Sequence, residues 1–182
     1  MGIHKDNSAT LTINLNALKQ NYKFLANKVR PARLGAVVKA NAYGIGIKHV
    51  AQALSEIGCM EYFVATIEEG IELRRIFPAA RIYIFHGVEK STTNDLVENT
   101  LIPVLNSHTQ IENWLPHSEK RACLHVDTGM SRLGLNPNEV KNIRGLDSFN
   151  LSMIMSHLAC ADIIDHPKNR SQLELFNTIK QI

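Results

Sequence analysis

Lys39 stands where an apolar run, Leu34 to Val38, stops, and Ala40-Asn41-Ala42-Tyr43-Gly44 follows it directly. A strand followed by a tight polar turn puts such a lysine at the C-terminal mouth of the strand, where α/β folds collect binding and chemistry. Shielded there by apolar walls, an amine can lose its proton and attack a carbonyl to form a Schiff base. A strand-end lysine that merely reaches into water over its own methylenes is the plainer account, so the company it keeps decides. Arg132 ends a second stretch, Asp127-Thr128-Gly129-Met130-Ser131-Arg132, directly after the apolar run that closes at Val126. Its guanidinium is a planar, permanently charged fork suited to carboxylates. His157 follows a third run, in Ser156-His157-Leu158-Ala159-Cys160-Ala161-Asp162. His157, Cys160, Asp162 and His166 could be gathered into a metal site, but their spacing matches no zinc signature.

A scaffold must bring these segments together. Short apolar runs alternate with helical periodicity along the chain, which is the pattern of repeated βα units. Strands are expected at residues 34–38, 62–65, 81–85, 101–105, 121–126 and 151–155. Helices are expected near residues 16–29, 47–57, 68–76, 92–97, 109–115, 138–143 and 172–182, with Pro31, Gly58, Pro78 and Pro116 as stops and Pro137 at a first turn. About six parallel strands, rich in Leu, Val and Ile, make either an open sheet or most of a TIM-type barrel, and periodicity does not choose between them.

Composition narrows the class. The chain has 182 residues, 45% of them hydrophobic, enough for one domain with a real core. Its net charge of +3 comes from scattered residues with no basic run, so no nucleic-acid or membrane partner is expected. Cys59, Cys123 and Cys160 are odd in number and far apart, which fits reduced thiols in a cytoplasmic protein rather than a disulfide framework. The polar start, Met1 to Thr10, carries no signal-peptide core, and no apolar run is long enough to span a bilayer.

Three motifs in this order, Lys39-Ala40-Asn41-Ala42-Tyr43-Gly44, Asp127 to Gly134 and Ser156 to Asp162, together with the opening Leu11 to Leu18, resemble the alanine racemases along the whole chain. The resemblance implies an α/β, TIM-type barrel that binds pyridoxal 5′-phosphate, incomplete at about six βα units and without the family's C-terminal β domain. It makes residues 1–182 a partial N-terminal barrel domain, and so a fragment, a truncated product or half of a split protein. It further implies that Lys39 carries the cofactor as a Schiff base and acts as one of two bases. By the same resemblance the ring of Tyr43 is expected beside the cofactor with its hydroxyl toward the phosphate, His157 against the cofactor ring, and Arg132 on both the phenolic oxygen and the carboxylate of the substrate, alanine. The family forms homodimers and supplies D-alanine for peptidoglycan. Its second base is a tyrosine of the C-terminal domain, supplied by the other subunit.

Two positions depart from the family. Ile45 stands where a polar histidine is usual. His125 stands where several members carry a lysine that becomes carbamylated and orients the arginine, so His125, an ion or another group must do that here.

Other readings remain beside this one. Val126-Asp127-Thr128-Gly129 matches the hydrophobic-Asp-Thr-Gly element of aspartic proteases, although Met130 is large and those enzymes are all-β. A non-catalytic carrier or remnant that only binds the cofactor is the remaining alternative.

Overall fold

In the computed structural model, residues 10–143 and 145–179 are described. The polar start at residues 1–9 and the end of the expected last helix, residues 180–182, lie outside them. The order is α1 (Leu15–Lys28), β1 (Ala36–Val37), α2 (Lys39–Tyr43), α3 (Ile47–Ser55), β2 (Glu61–Val64), α4 (Ile67–Ile76), β3 (Arg81–Ile84), α5 (Thr93–Glu98), β4 (Ile102–Leu105), α6 (His108–Trp114), β5 (Arg121–His125), α7 (Pro137–Val140), β6 (Asn150–Met155) and α8 (Pro167–Ile179). Every strand coincides with an expected run. The last helix begins earlier than expected, at Pro167, because the cue lies in the loop: Pro167 fits a first turn and His166 Nδ1 accepts from Lys168 N.

Local chemistry starts the helices. Asn14 Oδ1 accepts from Ala17 N at α1, and Ser107 does the same for Gln110 N at α6. Thr66 with Glu69 at α4, and Asn136 with Glu139 at α7, form reciprocal capping boxes.

All neighbouring strands are parallel, in the unbroken order β1-β2-β3-β4-β5-β6. A doubly wound sheet would reverse that order at a switch point. A strictly sequential order, with crossovers of one hand, keeps the helices on one face and curls the other inward. The sheet is therefore of TIM-barrel type and open, with the outer edges of β1 and β6 unpaired among the described residues.

Side-chain parity divides the interior. Tyr62, Val64, Ile82, Ile84, Leu105 and Leu124 face the helices and join the larger core with Leu73, Leu96 and Trp114. Tyr83, Ile102, Val104 and Cys123 form a smaller inner cluster, packed by Phe63, Phe85, Met153 and Met155. On that inner face the rings of Phe63 and Tyr83 stack at 4.5 Å, and those of Phe63 and Phe85 at 5.5 Å.

Where α4 crosses β3 the approach leaves no room for a side chain. A Cβ at Gly70 would lie 2.6 Å from Ile84 Cδ1 and 3.1 Å from Leu101 Cδ1, both buried in the core. A helix-interior Gly→Ala change ordinarily stabilises by up to about 1 kcal/mol. Here the methyls have nowhere to go, so overpacking of about 1–3 kcal/mol wins. Gly70→Ala should lower the midpoint of chemical denaturation.

Candidate active site

The strand-to-helix corner after β1 is wound the wrong way for L-residues. Ala40, Asn41 and Ala42 hold φ/ψ of 52/50, 53/46 and 53/49°, and Tyr43 continues at φ 55°. The expected polar turn is thus a left-handed helical turn, each residue costing roughly 1–2 kcal/mol. Hydrogen bonds offset that strain. Ala42 N donates to Val38 O at 2.8 Å, Gly46 N to Asn41 O at 2.9 Å, and Ile47 N to Asn41 Oδ1 at 2.8 Å. Ala40 N donates to Glu69 Oε1, while the other oxygen of that carboxylate accepts from Ala65 N at 2.8 Å. One side chain of α4 therefore ties the exits of β1 and β2 together.

The corner sends Lys39 and Tyr43 into one cavity of about 490 Å³, which is also lined by Phe63, Phe85, His125, Arg132 and His157. Lys39 is half-buried, with Nζ 5.7 Å from the centre of the Phe85 ring. Tyr43, Arg132 and His157 are exposed at the rim. Four residues expected at the site, from three separate loops, are thus brought together.

Arg132 is carried by a loop that its own first residue closes. Asp127 Oδ1 accepts from Gly129 N at 2.9 Å and Ser131 N at 3.0 Å. Burial pushes this carboxyl up, but the N–H groups of Ser131, Gly129 and Met130 outweigh it and hold the acid below its ordinary range. Asp127 is therefore a loop-closing acceptor in a parallel α/β sheet, and it lacks the setting of an aspartic protease. The loop returns as Leu135 pairs beside Val126, with Gly134 at φ 105°. A Cβ at Gly134 would lie 2.8 Å from Asp127 N, so only glycine fits.

His125 is 6% exposed at the end of β5. Asn106 Nδ2 donates to Phe85 O at 2.9 Å and Val104 O at 2.8 Å, which turns its Oδ1 toward the imidazole. His125 Nδ1, 2.8 Å from that oxygen, must then be the donor, and Nε2 is left as an acceptor. Burial lowers the affinity of His125 for a second proton; His157 and Arg132 lower it further, and Asp127 partly opposes them.

The sequence reading missed the cavity's aromatic wall and the groups that fix its loops. Phe63 and Phe85 could have been found from strand parity, since each lies two residues from another inward position, Glu61 and Tyr83. Thr66-x-x-Glu69 signals only a helix start, and the bonds that matter to the site, from Glu69 to Ala40 N, from Asn106 to Phe85 O and His125, and from Gln172 to its partners, are remote in sequence. Among the described residues, no group of three or more His, Cys, Asp or Glu is placed to hold a metal ion.

The match to known proteins spans the chain. Residues 13–182 match the model of the family "Alanine racemase, N-terminal domain". The alanine racemase of Rhizobium meliloti is 41% identical over 94% of this chain and 48% of its own length. That of Rhodospirillum rubrum is 42% identical over 95% of this chain and 50% of its own length. The crystal structure of alanine racemase from Bartonella henselae with covalently bound pyridoxal phosphate superposes with a TM-score of 0.86 at 35% identity, over 92% of this chain and 52% of that one. The chain spans about half the length of the curated relatives it matches.

Two outcomes follow from the strained corner and the buried imidazole. Ala40 is exposed, so changing it alters backbone strain with little effect on packing. Ala40→Gly should raise unfolding free energy by about 0.5–1 kcal/mol, and Ala40→Val should lower it by at least about 1 kcal/mol, in denaturant titrations. His125 has a folded pKa below its ordinary 6.5, so the unfolded chain binds the extra proton first and stability falls as pH drops below 6.5. His125→Gln should remove part of that loss, by at most about 1.4 kcal/mol per pH unit, when melts between pH 7.5 and pH 5 are compared (roughly one proton's worth).

Proposed function

We propose, for a chain that belongs to the alanine racemase family and matches its N-terminal domain, the role of the cofactor-bearing half of an enzyme that interconverts L- and D-alanine. The carrying observation is the shared cavity: a primary amine on a rigid strand end, an arginine fork, a tyrosine and an imidazole around an aromatic wall. That donor set fits pyridoxal 5′-phosphate, an aromatic aldehyde with an anionic arm. When bound, this group withdraws electrons from an attached amino acid and so makes its α-proton removable.

The chain's own residues divide the remaining work. Lys39 would hold the cofactor through Nζ and, when freed, take or return a proton at that nitrogen. Tyr43 would place its hydroxyl on the phosphate, and His157 would pack against the cofactor. Arg132 would donate to the phenolic oxygen and to the alanine carboxylate, which requires a permanently charged fork. His125, keeping its lone pair on Nε2, would orient Arg132 in place of the carbamylated lysine.

The finer reading extends to D-alanine supply for peptidoglycan in the cytoplasm, by a homodimer. A non-catalytic carrier of the cofactor is the second reading. For the 182-residue polypeptide tested by itself, weak cofactor binding and little racemisation are expected.

Borohydride reduction in the presence of pyridoxal phosphate, followed by peptide mapping, is the test. The expected label is confined to Lys39 and is lost in Lys39→Arg. Label scattered over exposed lysines such as Lys48 and Lys90 would overturn the assignment.

A further inference from the structure

We infer that Gln172 is a positioning residue that locks the loop carrying Arg132 to the loop carrying His157 through one buried amide. Gln172 lies on α8 yet is 1% exposed. Its Nε2 donates to Thr128 Oγ1 at 3.1 Å and to the His157 carbonyl at 2.9 Å, while its Oε1 accepts from Ala159 N at 2.9 Å. The amide cannot be reversed, because a flipped group would set N–H against N–H and oxygen against carbonyl oxygen. Thr128 Oγ1 also meets Ser156 Oγ at 2.7 Å, a second bond between the same two loops. A Cβ on Gly129 would lie 3.4 Å from Gln172 Cγ, so the stem packs on the Arg132 loop as the head bonds to it.

Past the ends of β5 and β6 the ladder shrinks to an isolated bridge at Val126 and Leu135, which leaves residues 128–132 and 157–160 without strand partners. His157 O and Ala159 N are irregular backbone groups, and Gln172 gives each its partner. Thr128 is adjacent to Asp127, whose carboxylate fixes Gly129 and Ser131, so the lock passes in two short steps to the backbone beside Arg132. Arg132 and His157 are distant in sequence, and this amide makes their loops one unit. Its importance for cofactor geometry rests on the proposed function, but the lock itself does not.

Two variants of the 182-residue chain test it. Gln172→Met keeps length and bulk without polar atoms, and Thr128→Val removes only the hydroxyl. Amide hydrogen exchange should rise roughly tenfold or more in both 127–132 and 157–160 in Gln172→Met, with β2 to β4 unchanged. Thr128→Val should loosen the same two segments more weakly. Faster exchange in one loop alone, in neither, or equally throughout β2 to β4 in both variants would overturn the inference. A second readout uses cofactor attached at Lys39. Gln172→Met should still take the label, with reduced circular dichroism in the cofactor's absorption band, and an unchanged band would also overturn the positioning role. If the unaltered chain takes no label at Lys39, the proposed function fails while the exchange result still judges the lock.

Discussion

The left-handed turn from Ala40 to Tyr43 fixes where Lys39 and Tyr43 can stand, and much of the surrounding polar structure holds that turn in place. Four such residues cost several kcal/mol, a large share of the roughly 5–15 kcal/mol by which a domain is stable. The chain keeps them because a carboxylate from α4, an asparagine side chain within the turn and a glycine on either side of Ile45 supply bonds and freedom. Glu69 has two tasks in one group: it caps its own helix and anchors the neighbouring strand's exit. Strain localised like this commonly marks a site where geometry has been set in advance.

The same logic runs along the whole C-terminal edge of the sheet. Where strands end and loops begin, backbone groups lose their ladder partners and need side chains instead. Asn106 supplies them after β4, Asp127 after β5 and Gln172 after β6. At the opposite edge Arg74 answers a comparable need, donating to the carbonyls of Asn99, Thr100, Pro78 and Ala80. The difference lies in what the polar groups leave over. Every hydrogen bond that Arg74 donates ends on a backbone carbonyl, whereas at the C-terminal edge Lys39, Arg132 and His157 are left facing a cavity.

The departures from the family also take physical form. An imidazole buried at the end of β5 cannot carry the negative charge of a carbamate. Asn106 nevertheless fixes its proton on one nitrogen, which leaves a neutral acceptor on the other. Ile45, exposed just beyond the left-handed turn, is apolar, so the corner holds without a polar side chain there.

Strand positions, the βα alternation and three of the loops that meet at the cavity were legible in the residues, because apolar runs and turn formers are local signals. Lys39, Arg132 and His157 each follow such a run, and a strand's C-terminal end is recognisable without knowing its neighbours. The handedness of the turn after Lys39 was not legible: alanine and tyrosine favour the opposite hand, and bonds from Val38, Glu69 and Asn41 overrule that preference. Nor could periodicity separate an open doubly wound sheet from a curled, sequential one, since that difference is strand order, which side-chain patterns along one strand do not encode. The amides of Asn106 and Gln172 were equally silent, because a polar side chain declares its purpose only once remote backbone groups are brought within 3 Å of it.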